Sequence, residues 1–135
     1  MPLMTWEASL DVGVETMNRE HREILDLMNR LYDAHGAAQT GAGVNTLVDR
    51  LGAVCAKHFA DEEEFMRKIA FPALIPHKQL HQRLLERYTG YAEQIRANHG
   101  RPTDEFFDFL KFWLTSHIKG IDTKYGEHLR RGAAA

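Results

Sequence analysis

The sequence lacks the features that mark secreted, membrane-inserted or nucleic-acid-binding proteins. Its single cysteine, Cys55, excludes a disulfide within the chain and suits a reducing compartment. No apolar run approaches the roughly 20 residues that cross a bilayer, and the first ten residues do not resemble a signal peptide. The net charge is −2, and no basic run stands out except Arg130 and Arg131. We therefore expect a cytoplasmic protein with no membrane insertion and no nucleic-acid partner.

The alternation of apolar and polar residues that predicts β-strands is also absent. Apolar residues instead recur at helical spacing in four segments, which run from about 18 to 35, 47 to 69, 76 to 95 and 103 to 118. Asn18 and Thr103 are predicted N-caps, and Pro72 and Pro76 lie at or just before the third helix. Short connections between four helices predict an all-α fold, an antiparallel up-down-up-down four-helix bundle over residues 1–131. Residues 132–135 are expected to form a disordered tail.

Histidine is unusually frequent, with eight copies, and two of them stand four residues apart in "HKQLH". Residues at this spacing share one face of a helix, so the imidazoles of His77 and His81 lie side by side. Two neutral imidazoles can form half of a metal site. Chance placement explains this pair alone equally well, so the rest of the chain must decide.

The predicted topology brings further polar residues to the same height. In an antiparallel bundle, the starts of helices one and three are level with the ends of helices two and four. The residues that fall at this level on inward-facing stripes are His21, His58, Glu62, His77, His81, His117 and Asp122. Burying five imidazoles and two carboxylates together would be very costly without a cation. The sequence therefore predicts a metal site in the core.

The two carboxylates differ in how well their spacing suits this site. Glu62 follows His58 by four residues and shares its face, whereas Asp61, three residues after His58, is the alternative. Glu63 and Glu64 rotate away and are expected at a solvated edge. Asp122 follows His117 by five residues, which a regular α-helix would turn by about 140°. Either a π-type widening or a loosening at Gly120 is needed to aim Asp122 inward.

The number and type of ligands indicate a pair of metal ions. Seven ligands exceed the usual coordination of one ion and suit two metals roughly 3.5–4 Å apart, bridged by carboxylates. Imidazole and carboxylate without thiolate suit iron, and zinc, manganese or copper are compatible. No glutamate stands three residues before any histidine, so the Glu-x-x-His motif of ferritin-like oxygen-activating proteins is absent. His35, His99 and His128 are expected at the surface or at helix ends.

The motifs "WEASLDVGVETMNREH", "HFADEEEFM", "HKQLH" and "WLTSHIKGIDTKY" occur in order over nearly the whole chain. Together they resemble the hemerythrin family, and in particular its single-domain bacterial members. The resemblance implies one iron held by His77, His81 and His117, and a second held by His21 and His58 with an open position for O2. Glu62 and Asp122 would bridge the two irons together with an oxo or hydroxo group. An apolar lining around the open position is implied for Ile24, Phe59, Trp113 and Leu114.

The expected function is reversible O2 binding at a non-haem di-iron centre, for storage, transport or scavenging, by a monomer that is not an enzyme. Two alternatives remain open at this stage: an O2 or redox sensor module, and a di-iron enzyme that handles peroxide or nitric oxide. The expected partner is O2, with an O2-consuming enzyme or a signalling protein as a further partner.

Overall fold

The structure, a computed structural model, describes residues 2–134 and contains five α-helices, which form a bundle. The helices are α1 (Glu15–Gly36), α2 (Ala42–Lys68), α3 (Leu74–Ala97), α4 (Asp104–His117) and α5 (Thr123–Ala134). A π-helical segment, Ile118–Asp122, joins α4 to α5 without a break, so both belong to the fourth arm of the bundle. No strand occurs in the described part of the chain, and the predicted all-α four-helix bundle is confirmed.

The core is formed by apolar stripes that the helices turn towards one another. α2 packs against both α1 and α3. Aromatic contacts bring α4 against its two neighbours: the ring of Phe107 lies 5.2 Å from that of Tyr32 on α1, and Phe106 lies 5.7 Å from Tyr91 on α3. No helix within residues 2–134 is both long enough and apolar enough to cross a membrane.

The predicted helix boundaries are correct in one case and wrong in another. Thr103 is the N-cap of α4, because its side chain accepts a hydrogen bond from the backbone N–H of Phe106. Asn18, in contrast, is not an N-cap: α1 begins earlier, at Glu15, and Asn18 is buried within it. Its side chain accepts from the N–H of Val12 and donates to Asp11, so it anchors the segment before α1, residues 2–14, which we call the N-terminal arm, to α1. The sequence placed the start of α1 too late because Asn18 precedes an apolar stripe, as an N-cap would. The hydrogen-bond partners of its side chain instead lie in the preceding segment.

The N-terminal arm packs against α1 and α5. Asn29 holds Met4 through both backbone groups, at 3.0 Å and 2.8 Å. Further along the arm, Val12 passes so close to α5 that a Cβ atom on Gly126 would lie 1.8 Å from the Val12 carbonyl oxygen. α5 continues to Ala134, into the segment expected to be disordered, and Ala135 lies outside the described residues.

Candidate metal centre

Seven polar side chains meet in the core at one end of the bundle. Each is at most 7% exposed, and they are His21, His58, Glu62, His77, His81, His117 and Asp122. These are the seven residues predicted from the sequence. Their ligand atoms fall into two groups in which every atom lies within 4.8 Å of the others, and Glu62 and Asp122 belong to both groups.

Helical spacing positions four of the seven residues. His58 and Glu62 are four residues apart on α2, and His77 and His81 are four residues apart on α3, so each pair shares the face that its helix turns inward. His21 lies near the start of α1, level with the C-terminal half of α2. The antiparallel arrangement therefore brings the pairs to one height, as the topology predicted.

Asp122 reaches the centre because the helix widens. The segment Ile118–Asp122 is π-helical, which brings residues five apart onto nearly the same face. His117, at the end of α4, and Asp122 consequently meet, with Nε2 of His117 2.9 Å from Oδ1 of Asp122. Of the two possibilities left open by the sequence, the π-type widening is the one observed, and Gly120 lies within it.

Three imidazoles surround one position of the centre. The Nε2 atoms of His77 and His81 lie 3.0 Å and 2.9 Å from Oε1 of Glu62. Nε2 of His77 is also 2.9 Å from Oδ1 of Asp122, and 3.1 Å from Nε2 of His117. We call this group, made of His77, His81 and His117 with the two oxygens, the three-imidazole position.

Two imidazoles face the other oxygen of each carboxylate. Nε2 of His58 lies 3.2 Å from Oε2 of Glu62, and Nε2 of His21 lies 3.6 Å from the same atom. Nε2 of His21 is also 3.1 Å from Oδ2 of Asp122. We call His21 and His58 with these oxygens the two-imidazole position. Because each carboxylate directs one oxygen to each position, both are placed to bridge two ions.

Unpaired atoms at the centre show that its donor set fits a metal. Within the described residues, the buried atoms that make no well-aligned hydrogen bond include Nε2 of His21, Oε1 of Glu62 and both carboxylate oxygens of Asp122, although other polar atoms of the centre lie 2.9–3.1 Å from them. Leaving such groups unpaired in the core is costly, and a cation coordinated by them would remove that cost. The imidazole nitrogens and carboxylate oxygens are ligands that iron accepts.

The carboxylates perturb the pKa values of the imidazoles beside them. Burial disfavours the protonated form of His58, but its hydrogen bonds to Glu20 and Glu62 outweigh burial and raise its pKa to about 10. Burial likewise opposes protonation of His77, yet Asp122 and Glu62 raise its pKa to about 9. In the metal-free protein, protons therefore occupy nitrogens that a metal would use, and metal binding must displace them.

The carboxylates themselves remain ionised. Burial alone would raise the pKa of Glu62, but the imidazoles of His21 and His58 hold it well below its usual value. Burial and the neighbouring Glu62 also oppose ionisation of Asp122, and His117 reverses this effect, so the pKa of Asp122 is lowered too. The centre thus offers two negative charges to a cation.

Sequence reasoning missed two glutamates that contact the imidazoles from outside. Oε1 of Glu20 lies 2.7 Å from Nδ1 of His58, and Oε2 of Glu63 lies 2.9 Å from Nδ1 of His81. A carboxylate on the outer nitrogen orients an imidazole and makes it a better ligand. The expectation that Glu63 lies at a solvated edge was wrong, because its carboxylate contacts His81 across the interface between α2 and α3. Such cross-helix partners have no spacing signal in the sequence.

A third missed residue is Tyr125, in the first turn of α5. Its hydroxyl donates a hydrogen bond of 2.9 Å to Oε2 of Glu62. Burial and the nearby carboxylates raise the pKa of Tyr125 well above its usual value, so the hydroxyl stays protonated. The signal that could have found it is its position three residues after Asp122, at the end of the "GIDTKY" motif.

The remaining candidates lie away from the centre. Asp61, the alternative to Glu62, has a side chain that is 38% exposed and pairs with Lys57 at 2.9 Å. His35 pairs with Asp104 on the surface. His99 follows the end of α3, and Nε2 of His128 lies 3.3 Å from the backbone carbonyl of Ile69. None of these residues belongs to either group of ligand atoms within the described chain.

A small apolar cavity of about 10 Å³ adjoins the two-imidazole position. Roughly this volume holds a single water-sized molecule. Its polar wall is formed by His21, His58, His117 and Asp122, and its apolar wall by Ile24, Phe59, Trp113, Leu114 and Ile118. The four residues expected as an apolar lining are therefore all present, and Ile118 joins them. The ring of Phe59 also stacks on His81 at 3.9 Å.

The chain is similar to known proteins over most of its length. Residues 12–129 match the hemerythrin HHE cation binding domain. The chain belongs to the hemerythrin family. The hemerythrin family binds a non-haem iron pair, and the buried cluster of histidines and carboxylates is suited to this cofactor.

Similar proteins of this family match the chain over most of its length. A bacteriohemerythrin of Stenotrophomonas maltophilia (strain R551-3) is 30% identical over 130 residues, which cover 96% of this chain and 84% of that protein. A myohemerythrin of Sipunculus nudus is 31% identical over 121 residues, or 89% of this chain and 88% of the other. A solved structure of wild-type hemerythrin superimposes with a TM-score of 0.83 at 28% identity, covering 94% of this chain and 98% of that one.

Proposed function

We propose that the protein binds O2 reversibly at a non-haem di-iron centre and serves as a store, carrier or scavenger of O2. The observation that carries this proposal is the inequality of the two metal positions. Three imidazoles face one position and two face the other, while the same two carboxylates serve both. An ion at the two-imidazole position would keep one coordination site free for a ligand.

Each of the seven residues has a definite task in this proposal. His77, His81 and His117 would hold one iron, His21 and His58 would hold the other, and Glu62 and Asp122 would serve both. Glu20 and Glu63 orient two of the imidazoles through their outer nitrogens. A bound pair of ferrous ions would supply the two electrons that O2 binding requires.

The cavity supports a very small ligand at the open site. Its volume of about 10 Å³ adjoins His21 and His58 and leaves little space beyond one small molecule. Ile24, Phe59 and Leu114 line this space with apolar side chains that are almost fully buried. Limiting the access of water favours release of the ligand unchanged over its reaction, which is the property a carrier needs. We therefore propose carriage and not catalysis.

The decisive experiment is optical. The reduced protein is exposed to O2 and then deoxygenated, and absorption spectra are recorded over several cycles. The proposal expects a band that appears with O2 and disappears on its removal, and it expects this band to be lost in His21→Ala. Irreversible conversion in the first cycle would contradict carriage.

Kinetic and binding assays separate the two alternatives. Steady-state turnover with peroxide or nitric oxide would indicate a di-iron enzyme, and saturable binding of a protein partner only in the oxygenated state would indicate a sensor.

The monomeric state and the cytoplasmic location remain predictions, the latter resting on the single thiol of Cys55, which is buried. The recipient of the O2, an O2-consuming enzyme in our prediction, is open to the same binding assay.

A further inference from the structure

Tyr125 contacts the centre without belonging to its ligand set. Its side chain is fully buried, with its ring edge-on to Phe65 at 5.5 Å and nearly parallel to His77 at 6.2 Å. These contacts fix the ring, and the ring in turn fixes the hydroxyl, which donates to Oε2 of Glu62 at 2.9 Å. A buried aromatic ring held on two sides is a rigid support for its hydroxyl.

The hydrogen bond acts on one of the two Glu62 oxygens. Oε1 faces His77 and His81, whereas Oε2 faces His58 and receives the Tyr125 hydroxyl. The donor therefore fixes the carboxylate at the oxygen that serves the two-imidazole position. That position has fewer imidazoles, so its affinity for metal depends more strongly on how Glu62 is oriented.

We propose that Tyr125 is a positioning residue that holds Glu62 as a bridge and thereby sustains metal binding at the two-imidazole position. Loss of an outer hydrogen bond to a ligand commonly weakens metal affinity by about 10–100-fold. The effect is expected mainly at the second metal, because the three-imidazole position keeps its imidazoles and Oε1. This inference rests on the metal pair of the proposed function, and it does not require that the protein binds O2.

The chain offers a matched control in Tyr88. This residue is also buried, and its hydroxyl donates a hydrogen bond of 2.6 Å to the backbone carbonyl of Val48. Its partner, Val48, is not one of the seven residues of the centre. Tyr88→Phe and Tyr125→Phe therefore remove the same atom and one buried hydrogen bond each, and only the second change touches Glu62.

The test is an anaerobic titration of the metal-free full-length protein with Co2+, followed by visible absorption and calorimetry. For Tyr125→Phe, we expect the second Co2+ to bind about tenfold or more weakly than in wild type, with a much smaller change for the first. Tyr88→Phe should leave both steps unchanged. In a His21→Ala background, where one ion remains, the affinity for that ion should be the same with Tyr125 or with phenylalanine.

Several results would overturn the inference. One is an unchanged affinity for the second Co2+ in Tyr125→Phe, and another is an equal loss of affinity for both Co2+ ions. The same loss in Tyr88→Phe would also overturn it, because it would indicate a general loosening of the fold. A wild type that binds a single Co2+ would overturn it together with the metal pair. Failure of reversible O2 binding alone would leave it standing, because the titration contains no O2.

Discussion

The two ends of the bundle are held together in different ways. At the site end, where His21, His58 and His77 lie, the core is polar, and several of its buried atoms make no well-aligned hydrogen bond within the described chain. At the opposite end, the loop end, the core is aromatic: Phe106 and Phe107 pack 5.3 Å apart. There the two loops are joined by a backbone hydrogen bond of 2.9 Å, from the N–H of Gly41 to the carbonyl of His99.

This difference shows where the fold depends on its cofactor. The loop end satisfies its polar groups within the chain and buries apolar surface, so packing stabilises it without help. The site end places imidazoles and carboxylates in the core, where only a cation or bound protons can compensate them. Substitutions at the two ends should therefore have separable consequences, which the following experiments test.

The largest effect is expected from removing a ligand at the site end. His77→Ala and His117→Ala each take one imidazole from the three-imidazole position and leave the two shared carboxylates short of a partner. We expect both variants to lose the bound iron pair, as measured by metal analysis of the purified proteins.

Histidines outside the centre provide the controls. His35→Ala removes a surface pair with Asp104, and His99→Asn keeps a residue that tolerates the left-handed backbone at φ 58°. Both should retain the full iron content. If the substitution at residue 99 emptied the centre and His117→Ala did not, the assignment of the site to one end would be wrong.

The next effect concerns the metal-free protein, which should unfold at a lower temperature than the iron-loaded form. The difference arises because metal binding satisfies the unpaired atoms of the centre. Circular dichroism melts of both forms measure it. Equal midpoints after confirmed removal of the metal would show that the site end is stable without a cation.

The pH dependence of the metal-free form sharpens this prediction. The pKa values of His58 and His77, about 10 and 9, lie above the usual 6.5, so their stabilising contribution is complete below pH 6.5 and is lost as the pH rises through 9–10. The pKa values of Glu62 and Asp122 are lowered from 4.5 and 3.8, so these carboxylates stabilise the folded protein at a pH above those values and lose that contribution in acid. Raising the pH from 6.5 to 9 should therefore lower the midpoint of the metal-free protein.

The iron-loaded form should respond in the opposite sense. Metal competes with protons for the imidazole nitrogens, so iron is held more firmly as the pH rises. The gap between the two melting midpoints is expected to widen from pH 6.5 to pH 9. A gap that narrows over this range would mean that the imidazoles do not carry the protons inferred here.

At the site end, the sequence predicted the ligands but not the residues that hold them in place. The pairs of ligands four residues apart on α2 and α3 indicated the level of the site in the bundle. The antiparallel topology then placed His21 and His117 at the same level. Even the widening at Asp122 could be anticipated, because residues five apart do not share a face in a regular α-helix. Glu20, Glu63 and Tyr125 could not be found, since each acts across a helix contact whose rotation the sequence pattern does not determine. Asn18 was misjudged because the partners of its side chain lie in the preceding arm.

A smaller effect is expected at the wall of the cavity. Leu114 is buried three residues before His117, and it lines the cavity beside His21 and His58. Leu114→Ala should cost about 2–5 kcal/mol of stability if the site cannot collapse. It should also admit water, so we expect faster oxidation of the reduced protein in air with unchanged iron content. An optical time course measures this rate, and an unchanged rate would show that Leu114 only packs.

The smallest effect is expected at the loop end, and it decides how the Leu114→Ala result is interpreted. Gly41 has φ 85° and ψ −147°, a conformation available essentially to glycine alone, and a Cβ atom added there would meet nothing within 4 Å. Gly41→Ala should therefore cost about 1–3 kcal/mol through backbone strain. Because the loop lies at the far end of the bundle, iron content and oxidation rate should stay at wild-type values while the melting midpoint falls. If Gly41→Ala were oxidised as fast as Leu114→Ala, the oxidation rate would depend on global stability and not on the closure of the cavity.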